Sequence, residues 1–170
     1  MIVYIYRMID EIDGTLLDIL QNKARTSQVD LAKAVDLAPS AVTERLKKLE
    51  AKGIIKAYVA LIDPHVVDRG LLAFVSVRTS EHGPDMPSAV ELSRIPDVLE
   101  VHHVAGDDCY LLKVRARDAE HLGQILRQQI ASTASVTSTK TTIVLETVKE
   151  DPRIVIPTAM TLGAVARSEP

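Results

Sequence analysis

The residues best suited to chemistry in this sequence lie along one helix-length run, "LAPSAVTERLKKLEAKGIIKAY" (37–58). Ser40, Ala41, Thr43 and Glu44 come first, followed by Arg45, Lys47 and Lys48. Hydroxyl and carboxylate groups exchange hydrogen bonds with base edges, an alanine methyl suits a thymine methyl, and guanidinium and ammonium groups suit guanine or phosphate. Val42, Leu46 and Leu49 recur at i, i+4 and i+7 and mark the opposite, buried stripe of the same helix. Arg45 is the strongest single contact candidate, with its side chain expected to face outward, and Lys47 and Lys48 suit phosphates. Glu44 either accepts from cytosine or pairs with Lys48 one turn on. The plain alternative is a helix whose polar faces only meet water.

Other reactive side chains form no comparable set. His102 and His103 are adjacent on a strand, where neighbours point to opposite faces, so they cannot hold one ion together. The five histidines and the single Cys109 show no zinc spacing, and one cysteine forms no internal disulfide. No nucleophile–base pair or phosphate-binding glycine loop is present, so neither catalytic residues, a metal nor a cofactor is expected. No apolar run approaches the roughly 18 residues of a membrane span.

The helix at 39–52 must be positioned by what precedes it. Ile9, Ile12, Leu16, Ile19 and Leu20 share a face of a first helix running to about Gln21. Ser27 and Asp30 give a capping-box start to a second, whose buried side is expected from Leu31, Ala34 and Val35. A three-residue link leads to Pro39, a favourable first helical residue, and Gly53 ends the third helix. Two helices joined by so short a turn, with a packing helix before them, follow a helix-turn-helix plan. A bare three-helix bundle is the alternative. The net charge of −3 hides a split: residues 1–62 hold nine Lys/Arg against eight Asp/Glu, and residues 63–170 eleven against fifteen. Within 39–56 there are five basic residues and two acidic ones, a local patch suited to phosphates.

The rest of the chain changes period. "IIKAYVALID" reads as a connecting strand, and strands follow at 71–78, 98–105, 110–116 and 139–148, with helices at 86–95 and after Asp118. The order βαββαβ is the ferredoxin-like arrangement. Leu72 and Phe74 alternate with Ala73 and Val75, and Leu111 with Leu112, so the sheet is apolar on both sides and a partner subunit is its expected cover.

With these elements in order, the sequence resembles the Lrp/AsnC (feast/famine) transcriptional regulators. "IDEIDGTLLDILQNKARTS", "LAKAVDLAPSAVTERLKKLEAKGIIKAY" and "ALIDP" carry the likeness in the first part. "VLEVHHVAGDDCYLLKVRARD" and "TKTTIVLETVK" carry it in the second, over about residues 9–150. The resemblance implies an α+β chain: a winged helix-turn-helix domain (8–54), a linker strand (55–66), a ferredoxin-like effector and oligomerisation domain (67–150), and a tail (151–170). It implies a regulator of amino-acid metabolism genes that binds double-stranded DNA through the third helix. It further implies a homodimer, often built into octamers, with an amino-acid effector held between effector domains, and a cytoplasmic, nucleoid-associated setting. Heme-pathway decarboxylases on the same two-domain plan, and a stand-alone amino-acid-binding module, are the other readings.

Within that resemblance the effector site falls on Val104, Ala105, Gly106, Asp107, Asp108 and Cys109, with Thr139, Thr141 and Thr142 lining it from another subunit. Gly106 allows a tight turn whose amides suit a carboxylate, and Asp107 or Asp108 suits an α-ammonium. A solvated acidic turn is the plain alternative, and Cys109 stands where the family often has an acid. In the helix-turn-helix link, Asp36 replaces the usual glycine and Ala38 the usual capping serine. "MIVYIYR" before the family pattern is expected to reflect an upstream start codon chosen in error, with Met8 the true start; a short apolar strand added at the N-terminus is the alternative. The tail after Glu150 is expected as an irregular arm lying on a neighbouring subunit through Ile154, Val155 and Ile156.

Overall fold

The computed structural model describes residues 9–80, 87–106 and 108–156. "MIVYIYR", Asp107 and the tail from 157 lie outside the described residues. The chain divides into two compact units. The described residues up to Leu61, together with those from Asp151, form one; Ile62–Glu150 form the other.

The first unit holds three helices, α1 (Glu11–Asn22), α2 (Gln28–Ala34) and α3 (Pro39–Ala51). α1 begins with a full capping box: Asp10 accepts from the Asp13 amide, and Asp13 accepts from the Asp10 amide. Ser27 caps α2 by accepting from the Asp30 amide. The core comprises Leu16 and Leu20 of α1, Leu31 and Ala32 of α2, and Val42, Leu46 and Leu49 of α3. Ala32 therefore takes the buried place expected of Ala34, which is exposed; Val35 packs against this core while partly exposed. The short link bends at Asp36 (φ 51°), which adopts the left-handed conformation usually left to glycine. α3 ends at Gly53 (φ 67°), where the Ile54 amide reaches back to the Leu49 carbonyl.

Residues 56–63, expected as a connecting strand, have no ladder partner among the described residues. A single chain places no strand edge beside them, and Val59, Leu61 and Ile62 remain 69%, 74% and 63% exposed. The segment ends in a 3-10 turn, Pro64–Val67.

The second unit is an antiparallel sheet of β1 (Leu71–Thr79), β2 (Val98–His103), β3 (Tyr110–Ala116) and β4 (Val136–Ile143), in the order β2-β3-β1-β4. Helices α4 (Pro87–Ser93) and α5 (Ala119–Ile125) cover one face. Ala73, Val75, Val77, Leu112 and Val114 point into that layer and are fully buried with Leu92 and Ile125. Each such side chain contributes about 1.5–3 kcal/mol relative to leaving it exposed. The opposite face carries Leu72, Phe74 and Leu111 beside charged Lys113 and Arg115. Lys113 pairs there with Glu100 (3.2 Å) and Glu150 (2.5 Å), and Arg115 with Glu150 (2.7 Å).

The last strand starts at Val136 and stops at Ile143, a shift from the expected 139–148. Among the described residues its one sheet neighbour is β1, which begins at Leu71; the Val144 amide still bonds the Leu72 carbonyl (2.9 Å), and the apolar residues beyond it find no ladder there. Leu145 and Val148 are 98% and 90% exposed.

The tail is irregular over 151–156, as expected, but it lies on α1 of its own chain. The Gln21 side-chain amide exchanges two hydrogen bonds with the Ile154 backbone, at 2.9 and 3.1 Å. Arg153 bonds Asn22, and Ile156 packs over Gly14.

Candidate nucleic-acid interface and effector hairpin

α3 is held on three sides. Val42, Leu46 and Leu49 are buried beneath it. On one flank the Thr43 hydroxyl lies 2.8 Å from both the Gln28 side-chain carbonyl and the Pro39 carbonyl. On the other flank Arg45 turns toward α1, where its Nη1 meets Asp10 Oδ2 at 2.7 Å and Asp13 Oδ1 at 2.8 Å. This corrects the expectation that Arg45 faces outward: its side chain is 30% exposed and Asp13 only 15%. Burial pushes the Asp10 carboxyl up, but the hydrogen bond from the Asp13 amide and the pairing with Arg45 hold it below the usual aspartate value.

The free side of α3 presents Ser40, Glu44 and Lys47, at i, i+4 and i+7, all exposed, with Lys48 beside them. Glu44 pairs with Lys48 at 2.7 Å, and that bond lowers its pKa. Lys47 makes no ion pair among the described residues. Ala41 is half-buried and lines a cleft of about 330 Å³ together with Arg45, Lys48 and Lys52. Ala38 sits at the cap of α3 without a side-chain bond, as its replacement of serine implied.

The 104–109 hairpin is closed by the Val104 amide on the Cys109 carbonyl (3.0 Å). Gly106 takes φ 133° at its tip, a conformation L side chains rarely adopt. Ala105 and Gly106 are exposed, and Val104 and Asp108 are half-buried. Asp108 faces Arg78 at 3.8 Å. The Cys109 thiol accepts from the Thr79 amide (3.5 Å) and its own amide bonds Val77, which makes it part of the β1–β3 pairing.

The three threonines do not share one face. Thr139 and Thr141 stand opposite Val77 and Val75 on the helix-covered side, and Thr142 stands opposite Phe74 on the other, so one sheet cannot line a single pocket with all three. Thr139 is level with the hairpin, since Tyr110, Val77 and Thr139 are paired across the sheet.

Two partners escaped the sequence reading. Asp10 and Asp13 were not read as a helix cap, and nothing local signals that Arg45, more than thirty residues on, uses the oxygens that the cap leaves over. Arg78 was visible only as a charge at a strand end.

Comparison with known proteins places both units. Residues 9–56 match a family model described as winged helix-turn-helix DNA-binding, and residues 72–154 one described as the Lrp/AsnC ligand binding domain. The leucine-responsive regulatory protein of Klebsiella pneumoniae is 38% identical, over 88% of this chain and 93% of its own. A feast or famine regulatory protein from M. tuberculosis, solved with L-methionine, superposes with a TM-score of 0.80 at 34% identity, covering 87% of this chain and 99% of its own. A transcriptional regulator from Neisseria meningitidis, also solved with L-methionine, gives 0.78 at 28% identity, covering 87% and 97%. These relatives are regulators, which does not favour the decarboxylase alternative. A helix-turn-helix unit followed by an Lrp/AsnC ligand-binding sheet, matched across nearly the whole chain, makes this protein a member of the Lrp/AsnC family of transcriptional regulators and not an enzyme.

Proposed function

We propose that the chain works as a two-fold dimer that reads duplex DNA with α3 of each copy and responds to an amino acid held at the 104–109 hairpin. The observation that carries DNA reading is the exposed row Ser40, Glu44 and Lys47 on a helix whose other sides are occupied within its own unit. Ser40, Ala41 and Glu44 face base edges, and Lys47 and Lys48 hold phosphates. Thr43, already bonded to Gln28, orients the helix. Two such helices read half-sites about one helical turn apart.

Two features support a dimer that assembles further into octamers. The extended 56–63 segment exposes Tyr58, Val59, Leu61 and Ile62, and Leu99, Ile143 and Leu145 are exposed in the second unit. The amino-acid effector is supported by the two relatives solved with L-methionine. Backbone amides of Ala105 and Gly106 receive the carboxylate, Asp107 takes the ammonium in preference to the Arg78-facing Asp108, and Thr139 of another copy closes the site. The genes controlled are those of amino-acid metabolism, in the cytoplasm and on the nucleoid. No helix among the described residues is long and apolar enough to cross a membrane.

The deciding experiment has two arms. Duplexes are selected from a random-sequence pool by the purified chain; recovery of no sequence above background refutes DNA reading. The twenty amino acids are then screened by thermal shift, with Asp107→Ala alongside. A hit that persists in the variant removes Asp107 from the site, and a complete absence of hits refutes an amino-acid effector.

A further inference from the structure

We infer that Arg45 is the positioning residue of the reading helix: it bolts α3 to the capping box of α1 and touches no DNA. The inference rests on the proposed reading of DNA by α3. Each carboxylate of the box is shared between two tasks. Asp10 Oδ1 accepts from the Asp13 amide at 2.8 Å, and Asp13 Oδ2 accepts from the Asp10 amide at 3.4 Å. The two remaining oxygens, Asp10 Oδ2 and Asp13 Oδ1, both take Arg45 Nη1. One nitrogen, with its two protons, thus joins the first turn of α1 to the middle of α3.

Electrostatics point the same way. One guanidinium between two carboxylates leaves the cluster net negative, which repels phosphate. Swinging Arg45 out to DNA would leave Asp10 and the mostly covered Asp13 unpaired, a cost that falls on groups whose other oxygens start α1. Left in place, Arg45 fixes the rotation of α3 about its axis. Thr43 on Gln28 secures the opposite flank, and together they decide that Ser40, Glu44 and Lys47 face outward. A helix turns by about 100° per residue, so a modest rotation changes which side chains meet base edges.

The test compares the full-length chain with Arg45→Ala, Asp13→Ala, the double variant and Arg45→Lys. Affinities are measured across salt concentrations, on a duplex selected by the unaltered protein and on a duplex of random sequence. A positioning role gives each alanine variant about a tenfold loss on the selected duplex, with much less on random DNA. The double variant is no worse than either single one, because both break the same link. Arg45→Lys, reaching one carboxylate, restores part of the loss, and the slope of log affinity against log salt is unchanged in all.

A direct phosphate contact gives a different pattern: the slope for Arg45→Ala drops by about 0.9, and Asp13→Ala, which removes a negative charge, binds as well as before or tighter. Either result overturns the proposal. Asp13→Ala and Arg45→Lys decide the matter even where Arg45→Ala fails to fold, as judged by helical circular dichroism. If the unaltered protein selects no duplex, the DNA reading itself falls; if it selects one and Asp13→Ala binds it normally, only the role of Arg45 falls.

Discussion

Ala38→Ser should stabilise the reading helix. Ala38 already has the extended backbone of an N-cap (φ −68°, ψ 145°) but no side-chain acceptor, whereas the caps of α1, α2 and α5 all accept from an N3 amide. Ser27, at φ −67° and ψ 152°, shows what a serine does in this geometry: its Oγ takes the Asp30 amide at 3.1 Å. A serine at 38 meets the Ala41 amide in the same way, and because the site is exposed nothing is displaced. Replacing alanine by serine at such a cap is worth about 0.5–2 kcal/mol. The Ala41 amide already leans on the Ala38 carbonyl at 3.0 Å, so the lower half of that range is expected, about 0.5–1 kcal/mol. In a unit of this size each kcal/mol moves the melting temperature by about 4–8 °C. Because the chain holds two units, the readout should be local: amide hydrogen exchange over the first turn of α3, alongside the far-ultraviolet melt. Faster exchange there, or an unchanged melt with unchanged exchange, would refute the argument that this cap is unfilled.

Further outcomes follow from other contacts. Gly14→Ala should raise stability by about 1 kcal/mol from helix propensity, because the added methyl would sit 3.6 Å from Ile156 in ordinary contact; a lower denaturant midpoint would show that the Ile156 contact is tighter. Gln21→Ala should speed amide exchange across α1 by releasing Ile154, and exchange rates identical to the parent would make the tail a passive neighbour. Glu150 is held below the ordinary glutamate value chiefly by its bond to Lys113, and Glu100 by His102 and then Lys113, with burial opposing both. Their stabilisation is complete above the unfolded value of 4.5 and is lost as pH falls through the folded values, so Glu150→Gln should flatten the acid limb of a urea-midpoint profile. The Tyr58 phenol is pushed up to about 12 by burial and then by its bond to Glu50; its contribution is complete below 10.0 and is lost as pH rises from there toward about 12, and Tyr58→Phe should remove a late step near 12 from a phenolate absorbance titration.

Local chemistry made the helices readable. Ser27, Pro39 and Gly53 act on amides and carbonyls within a turn of themselves, and the 3.6-residue stripe of Val42, Leu46 and Leu49 needs no distant partner to be recognised. Strand order followed from the alternation of periods and from the family likeness. What stayed hidden depends on pairing across long separations. β4 stops close to where β1 begins, not where its apolar residues run out, and 56–63 has strand composition without an edge to join. The direction of Arg45 was settled by Asp10 and Asp13, whose free oxygens are invisible until α1 and α3 are packed. The threonines of β4 were grouped by closeness in sequence, but the pleat puts Thr142 on the far side from Thr139 and Thr141.

The return of residues 151–156 to α1 means that the DNA-binding unit is not a continuous stretch of chain. Residues 62–150 form an insertion within it, in the order of the sequence. A fragment ending at Leu61 would therefore carry α1 with its Gln21 amide unmatched and the surface over Gly14 uncovered. A protease nick in the 56–63 segment would not by itself shed the helical unit, because the downstream fragment still grips α1 through Ile154 and Ile156. The minimal DNA-binding piece of this protein is better made by joining residue 61 to residue 151 through a short bridge than by cutting the chain once.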